Sequence, residues 1–448
     1  MRVAIVLFTR DLRLHDNPAL RAACDEYERI VPLFVLDDAI LERFGAPNRV
    51  AFLLESLRDL DHSLRAQGAA LVVRRGDPVE EVRTCAADVG GQAVFVADDV
   101  SAYAHRREQR LCDSGLDVRV FPGLTVIPPG DLTPSGGGDH FAVFTPYWNR
   151  WRAAARRALV QAPQRVQLPD LDAGRIPELD EVTAERPSAN LPPGGETAGR
   201  RRLGAWLESA LASYGSRRDD LADDSTSRLS AYLRFGCVSP LEVVERAVGR
   251  PGGDEFVRQL CWRDFHYQLF AARTEIARED MRPRGDSWRE DLQGLDAWKN
   301  GLTGYPLVDA GMRQLRAEGF MHNRARLVTA SFLTKHLYLD WRAGAAHYAD
   351  LLVDADLPDN IGNWQWVAGT GADTRPNRMF NPTRQAHRYD PSGEYVRRWV
   401  PELREVETAT VHEPWRLGVL APGGYPAPIV DHDEAVTRFR AARSITLR

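Results

Sequence analysis

The sequence predicts two domains of different class. An α/β domain built on a five-stranded, parallel, doubly wound sheet covers residues 1–127, an all-α domain covers 200–448, and a connection over 128–199 joins them. Three observations predict this. Five short apolar runs alternate with amphipathic stretches through the N-terminal part; proline, glycine and charge crowd the middle; strand patterns largely vanish beyond Arg200. Strands separated by helices need crossover connections, and crossovers make a sheet parallel.

The strands are read at Val3 to Phe8, Ile30 to Leu36, Ala70 to Val73, Ala93 to Val96 and Val118 to Phe121. Between them, Arg49 to Ala66 carries Leu53, Leu54, Leu57, Leu60 and Leu64 at helical spacing. Asp77-Pro78 starts another helix, with Glu80 and Glu81 in its first turn, where the helix dipole favours acids. Neither G-x-x-x-x-G-K-S/T nor G-x-G-x-x-G follows the first strand, so the sheet bears no usual nucleotide signature. In the connection, Gly136-Gly137-Gly138 and Pro192-Pro193-Gly194-Gly195 mark loops, while Phe144-Thr145-Pro146-Tyr147-Trp148 predicts an anchored turn leading into a helix that ends near Leu159. Helices follow at Leu203 to Tyr214, Pro240 to Val248, Asp254 to Arg273, Leu307 to Glu318, Ala325 to His336 and Trp341 to Leu352.

Composition excludes several classes. With 448 residues, 44% apolar and 27% charged, the chain reads as an ordinary globular protein. A net charge of −5 confines any nucleic-acid surface to a local basic patch. Five scattered cysteines without C-x-x-C spacing predict a reducing cytoplasm and no metal site. The opening MRVAIVLFTRDL is too short in apolar run for a signal peptide or membrane span, so a cytoplasmic protein is expected.

Chemistry-bearing residues concentrate late in the chain. Asp354 and Asp356 precede Asn360-Ile361-Gly362-Asn363-Trp364-Gln365-Trp366. On a strand the two tryptophans would share a face, whereas on a helix they would point about 200° apart and serve two sites. Thr226-Ser227-Arg228-Leu229-Ser230 offers hydroxyls at a helix start, suited to a pyrophosphate but, on the segment alone, read first as a simple N-cap. Arg324 and Arg326 follow His322-Asn323, and one of the arginines is expected to pair with Asp354 or to be merely solvated. Gln259 and Trp262 share a helix face, where an aromatic beside an amide can stack on a base and bond its edge; core packing is the plainer reading. His322 has no second His or Cys at ligand spacing, which leaves it a structural candidate.

Taken in order, RDLRLHDNPAL, FTPYW, TSRLSAYLRFG, WRDFHYQ, KNGLTGYPLVDAGMRQL, GFMHNRARL, DWR, DADLPDN and WQWVAGTG resemble the photolyase and cryptochrome family, from Arg10 to His412-Glu413-Pro414-Trp415. The nearest likeness is to bacterial photolyases that repair cyclobutane pyrimidine dimers. The resemblance implies an N-terminal antenna-binding domain and a helical domain holding FAD. Tyr214, Thr226, Ser227, Arg228, Leu229 and Ser230 would hold the phosphate region; Gln259, Arg263, Asn323, Arg326, Asp354, Asp356 and Asn360 would line the rest. Asn360 matches the position facing the flavin's central nitrogen, where an amide favours full reduction. Trp364, Trp341 and Trp288 match an electron relay, with Trp364 nearest the cofactor and Trp288 at the surface. Trp262 and Trp366 match the walls of the lesion pocket.

The implied reaction is cyclic: light excites reduced FAD, an electron splits the dimer, and the electron returns. The partner would be UV-damaged DNA, bound by a monomer with its target base taken out of the stack, as photolyases do as a class. Arg218, Arg324, Arg378 and Arg384 would grip flanking phosphates. Gln259 stands where most bacterial dimer photolyases have Glu; an amide still donates and accepts but cannot share a proton with the lesion. Photolyases of (6-4) products also use Gln there, but Asn323 and Leu327 replace the two histidines of that branch. A cryptochrome-like photoreceptor is the other alternative; the chain ends at Arg448 without the extended tail many cryptochromes carry, which favours repair. For the antenna, a folate-type Asn-Glu pair would fall at Tyr103-Ala104 and is absent. Arg10, Phe34, Asp37, Arg49 and Asp99 are similar to a pocket for an 8-hydroxy-5-deazaflavin antenna, with an empty or flavin-filled pocket as alternatives.

Overall fold

In the computed structural model, residues 2–223 and 225–444 are described. They form two compact units. One comprises residues 2–187, 191–214 and 227–274; the other comprises 188–190, 215–223, 225–226 and 275–444.

The first unit is centred on five parallel strands, β1 (Val3–Phe8), β2 (Arg29–Leu36), β3 (Val72–Arg75), β4 (Gly91–Ala97) and β5 (Asp117–Phe121), in the order β3-β2-β1-β4-β5. Helices α1 (Pro18–Glu26), α2 (Asp38–Phe44), α3 (Pro47–Ala66), α4 (Pro78–Val89) and α5 (Ala102–Asp113) connect them. All six β1 residues are buried, which is why the central strands read as continuous apolar runs rather than alternating ones. β3 begins two residues later than its apolar run, because the backbone of Ala69 bonds Leu64 and that of Leu71 bonds the Asp61 carboxylate at the end of α3. Asp77 caps α4, accepting from Val79 and Glu80.

The unit continues with α6 (Phe144–Ala153), α7 (Glu196–Ser209), the start of α8 (Tyr214–Arg217), α9 (Ser230–Arg234), α10 (Pro240–Ala247) and α11 (Gly253–Ala272). Helix α6 stops well short of Leu159. The chain beyond it is held extended: Arg157 pairs with Asp16, and Val160 exchanges bonds with Asp16. Segment 227–274 joins the sheet for a physical reason. The fully buried Arg13 guanidinium donates to the carbonyls of Asp16, Gly123 and Gly236, and Leu12 bonds Phe235. Gly236, at φ +65°, must be glycine, since a Cβ there would sit 1.8 Å from the Arg10 carbonyl oxygen. Asp264 of α11 accepts from the backbones of Val126 and Ile127 and from the Trp151 indole; burial pushes its carboxyl up to about 6.

The second unit holds α12 (Leu292–Asn300), α13 (Pro306–Glu318), α14 (Asn323–Ser331), α15 (Trp341–Leu351), α16 (Leu357–Ala368), α17 (Pro382–Tyr389), α18 (Glu394–Trp399) and α19 (His432–Ala442). The single helix read from Ala325 to His336 divides. After α14 the backbone widens to π-helical spacing over Phe332–Leu337 and stops at Tyr338, whose φ of +57° is left-handed. Among the described residues no helix is long and apolar enough to cross a membrane.

Candidate functional site

In the second unit, His322 turns out to be a cap. Its Nδ1 accepts from the Arg324 backbone (3.1 Å), and its own N–H donates to Gln314 (3.1 Å). This start fixes α14 so that Arg326 reaches Asp354 in a two-pronged pair, 3.1 and 2.8 Å, while its Nε holds the Met321 carbonyl (2.8 Å). A guanidinium fork on a nearly buried carboxylate is rigid and directional. Asp356 occupies the N-cap position of α16, and Asn323, the first residue of α14, is exposed. One turn into α16, the Asn360 Nδ2 donates to the Ala345 carbonyl of α15 (3.0 Å), so its Oδ1 is the end left to accept.

Because Trp364 and Trp366 lie on helix α16, they diverge. Trp364 is 2% exposed, edge-on to Tyr348 (4.9 Å between ring centres) and Trp298 (6.1 Å). Its indole N–H is buried without a partner among the described residues, an uncommon condition that marks a place for an acceptor. Trp366 is half-buried and lies under the exposed Arg378 guanidinium at 5.0 Å, which also covers Phe380 at 4.9 Å. Trp341 opens α15, fully buried; its N–H donates to Asp280 (2.8 Å) and Arg342 stacks on its ring at 4.6 Å. Trp288 is half-buried against Tyr338 (5.1 Å). An orphaned indole N–H, an amide with its oxygen still able to accept and a fixed charge pair fit a flavin, whose ring edge offers both acceptors and a donor.

The first unit holds the other predicted residues. No side-chain hydroxyl caps α9: Leu229 is its N-cap, Arg228 takes a left-handed φ of +50°, and Arg202 holds the Ser227 carbonyl (2.9 Å). The simple N-cap reading of this segment therefore fails; the half-buried Ser227 hydroxyl accepts instead from the Leu229 N–H (3.4 Å), and Ser230 is exposed. Thr226 belongs to the second unit. Tyr214 is buried edge-on to Trp206 and Phe256. On α11, Gln259 is half-buried and Trp262 is stacked face to face on Phe144, ring centres 3.6 Å apart and 4° from parallel, with Phe265 at its edge. Phe144 thus backs Trp262, a contact between positions 118 apart that sequence spacing does not reveal. Arg263 donates to the Leu124 carbonyl and to the Tyr267 hydroxyl (2.9 Å), over whose ring it stacks at 4.3 Å.

Of the arginines expected at phosphates, Arg378 and Arg384 are exposed and Arg218 is half-buried. Arg324 is engaged, paired with Asp219 (2.9 Å) and stacked on Tyr389 (4.3 Å).

The residues matched to an antenna gather at the carboxyl ends of the strands. Arg10 follows β1 and Asp99 follows β4, the neighbours where strand order reverses and open α/β sheets bind ligands. Arg10 pairs with Asp99 (3.3 Å), donates to the Arg234 carbonyl (3.2 Å) and meets the Tyr267 hydroxyl (2.5 Å). Asp37 caps α2 and accepts from Tyr103; Arg49 donates twice to the Phe44 carbonyl (3.1 and 2.7 Å); Phe34 is buried in β2. Sequence reading missed the polar atoms beside them. Thr9 Oγ1, Asp98 Oδ1 and Arg107 Nε are buried without hydrogen-bond partners among the described residues, while Glu108 Oε1 pairs with Arg107 Nη2 at 3.7 Å. Burial, with the Asp99 charge adding to it, pushes Asp98 up to about 7.

A doubly wound α/β unit and a unit of helices that presents tryptophans and a fixed charge pair are the parts of a flavin-binding protein by class. Family models agree in detail: "DNA photolyase" matches residues 4–167 and "FAD binding domain of DNA photolyase" matches residues 256–444. A "Deoxyribodipyrimidine photo-lyase" of Streptomyces griseus is 54% identical, across 99% of this chain and 100% of its own. A "Cryptochrome DASH" of Gloeobacter violaceus is 36% identical, covering 96% and 93%. Among solved structures, a bacterial class III photolyase from Agrobacterium tumefaciens superposes with a TM-score of 0.92 at 34% identity, covering 99% and 97%. An archaeal photolyase from Sulfolobus tokodaii "with two FAD molecules" gives 0.88 at 30%, covering 99% and 100%. The chain belongs to the DNA photolyase and cryptochrome family.

Proposed function

We propose that the chain is a light-driven DNA-repair lyase that splits cyclobutane pyrimidine dimers. The observation that carries this is the 54% identity, over essentially both whole chains, to a deoxyribodipyrimidine photo-lyase. Bound reduced FAD would supply the electron on excitation and take it back. The protein's residues do the rest. Arg326, held by Asp354, would set a fixed guanidinium beside the flavin and favour its reduced, anionic form. The Asn360 amide, anchored to the Ala345 carbonyl, has no acidic proton to deliver. Asn323 and Asp356 would complete this lining, and Tyr214, Thr226, the Ser227–Ser230 segment and Arg263 would serve the remainder of the cofactor.

Trp262, rigid on Phe144, offers its free face to an extruded base, with Gln259 one turn away to bond the base edge. Trp366 would form the second wall. Arg324 must release Asp219 to reach a phosphate, so the phosphate grip falls on Arg218, Arg378 and Arg384. Trp288, Trp341 and Trp364 would return the flavin to its reduced state in the light.

A second chromophore is supported by the buried, unpartnered polar atoms at the sheet's switch point and by the two-FAD archaeal relative. Donors and acceptors at Thr9, Asp98 and Arg107 suit a polar ring system such as a deazaflavin or a flavin.

The likeness to cryptochromes keeps a photoreceptor as the second reading. The test is to illuminate the reduced holoprotein with oligonucleotides bearing a cyclobutane dimer or a (6-4) product. Restoration of the dimer strand alone is expected. Restoration of neither would overturn the repair reading, and restoration of the (6-4) strand alone would reassign the substrate.

A further inference from the structure

Tyr338 plays no part in the reading above, yet its surroundings are specific. It ends the π-helical turn Phe332–Leu337 in a left-handed backbone, φ +57° and ψ +46°. A bulky residue is rarely held there, because its Cβ crowds the following carbonyl. The turn is pinned from both sides: Tyr338 donates its N–H to Leu333, and its carbonyl accepts from Arg289 (2.9 Å). Strain held this way persists where neighbours over-determine it and often marks a functional position.

The turn aims the ring at two partners. The phenol ring lies 5.1 Å from Trp288, at 46° to it, and its hydroxyl donates to Asp286 Oδ1 at 2.8 Å. Asp286 is itself fixed by Arg443, which donates to Oδ1 (2.7 Å) and Oδ2 (2.6 Å), and both of these side chains are almost wholly buried. Tyr338 is only 3% exposed, whereas Trp288 is half-buried. An oxidisable phenol, a proton acceptor and a tryptophan at van der Waals range therefore stand in series.

We infer that Tyr338 is a further redox residue, which reduces oxidised Trp288 while handing its phenolic proton to Asp286. The inference rests on the relay role proposed for Trp288. In the step, one electron passes from the phenol to the Trp288 radical cation, restoring the indole. The Tyr338 O–H bond breaks, its proton joins Asp286 Oδ1 as a carboxylic acid, and a neutral tyrosyl radical remains. An oxidised phenol is a far stronger acid than a carboxylic acid, so Asp286 can take the proton even while paired with Arg443. Loss of an electron together with a proton is easier for phenol than for indole at neutral pH, so the hole moves inward to a shielded ring. Its return to the flavin would slow accordingly.

Two measurements test this. In flash photolysis of the oxidised holoprotein, the tryptophan radical should give way to a tyrosyl radical whose paramagnetic-resonance spectrum narrows when ring-deuterated tyrosine is incorporated. Tyr338→Phe should abolish that signal, prolong the tryptophan radical, which has lost its reductant, and shorten the overall charge-separated state at least tenfold, with dimer repair by pre-reduced protein unchanged. An identical tyrosyl signal and decay in Tyr338→Phe overturns the proposal. Pulse radiolysis in the dark, with azide radicals oxidising surface tryptophan, reads the same step without the flavin: tryptophan radical should convert to tyrosyl radical in the parent but not in Tyr338→Phe or Trp288→Phe. If Trp288→Phe leaves photoreduction intact while the radiolysis transfer survives in the parent, the relay reading fails and the Trp288–Tyr338 step stands. If no transfer occurs in the radiolysis, the step itself is refuted.

Discussion

Gly344→Ala probes whether Trp364 is held where the flavin chemistry requires it. Gly344 lies in the first turn of α15, one turn from Trp341 and beside Ala345, whose carbonyl orients Asn360. A Cβ built on Gly344 would lie 2.1 Å from Cη2 and 2.5 Å from Cζ3 of Trp364, and 2.6 Å from a methyl of Leu333. Ordinary contact begins near 3.4 Å, so the indole must retreat by about 1.3 Å from a site where it is 2% exposed and bounded by Tyr348 and Trp298. In a solvent-facing helix, alanine would be better than glycine by about 1 kcal/mol. Overpacking a dense core costs about 1–3 kcal/mol, and so rigid a clash belongs at the upper end.

A net loss of about 2 kcal/mol is therefore expected in denaturant unfolding of the holoprotein. Light-driven flavin reduction should also slow, because the indole has moved. Trp364→Phe removes the ring atoms that clash, so the double variant should be less destabilised than the two single effects added together. Unchanged or increased stability in Gly344→Ala would refute the contact, as would strict additivity in the cycle.

Trp262→Ala should weaken binding of dimer-containing DNA by about 1–3 kcal/mol in a titration; equal affinity removes Trp262 from the lesion pocket. Trp288→Phe should slow photoreduction of oxidised flavin and spare repair by pre-reduced protein; collapse of both would show that the tryptophans are wrongly divided. Lys335 is buried and donates to the Pro376 and Arg378 carbonyls, holding the loop that lays Arg378 on Trp366. Burial pulls its ammonium down from 10.5 to about 7, so between those values the unfolded chain keeps a proton that the folded chain has released. Stability from this group therefore rises as pH climbs from 7 towards 10.5, and Lys335→Met should flatten that rise in unfolding curves taken at neutral and alkaline pH. An unaltered slope would mean that the amine is not desolvated.

What was legible in the sequence followed the range of the interactions. The strands show because residues buried on both faces must be apolar in succession, and α3 shows because its leucines repeat at helical spacing. The pairing of Arg326 with Asp354 was readable once the motifs were taken together. The RDLRLHDNP segment carried the family likeness but hid its physics. Arg13 folds that loop by bonding Gly236, 223 residues away, and Glu196 accepts from Leu14 and His15. Nothing in Phe332-Leu333-Thr334-Lys335-His336-Leu337-Tyr338 announces a π-helical turn ending in a left-handed tyrosine, because tertiary contacts with Arg289, Asp286 and Phe439 hold it.

The same distinction sorts the tryptophans. Trp341 and Trp364 are locked by burial and close neighbours, and Trp262 by a parallel phenylalanine. Trp366 is half-buried on α16 and covered by the Arg378 cation, whose loop is anchored through Lys335 and Arg443 to the protein behind. An electron relay needs fixed distances, so its members belong among the first kind. A wall that must admit and release a bulky, extruded base has a use for the second kind, since Arg378 can leave Trp366 for a phosphate without unfolding anything. Arg378→Ala should then change DNA binding alone, weakening it and lowering its salt slope by about one phosphate contact; a loss of flavin or of fold in that variant would show that the loop serves the core instead.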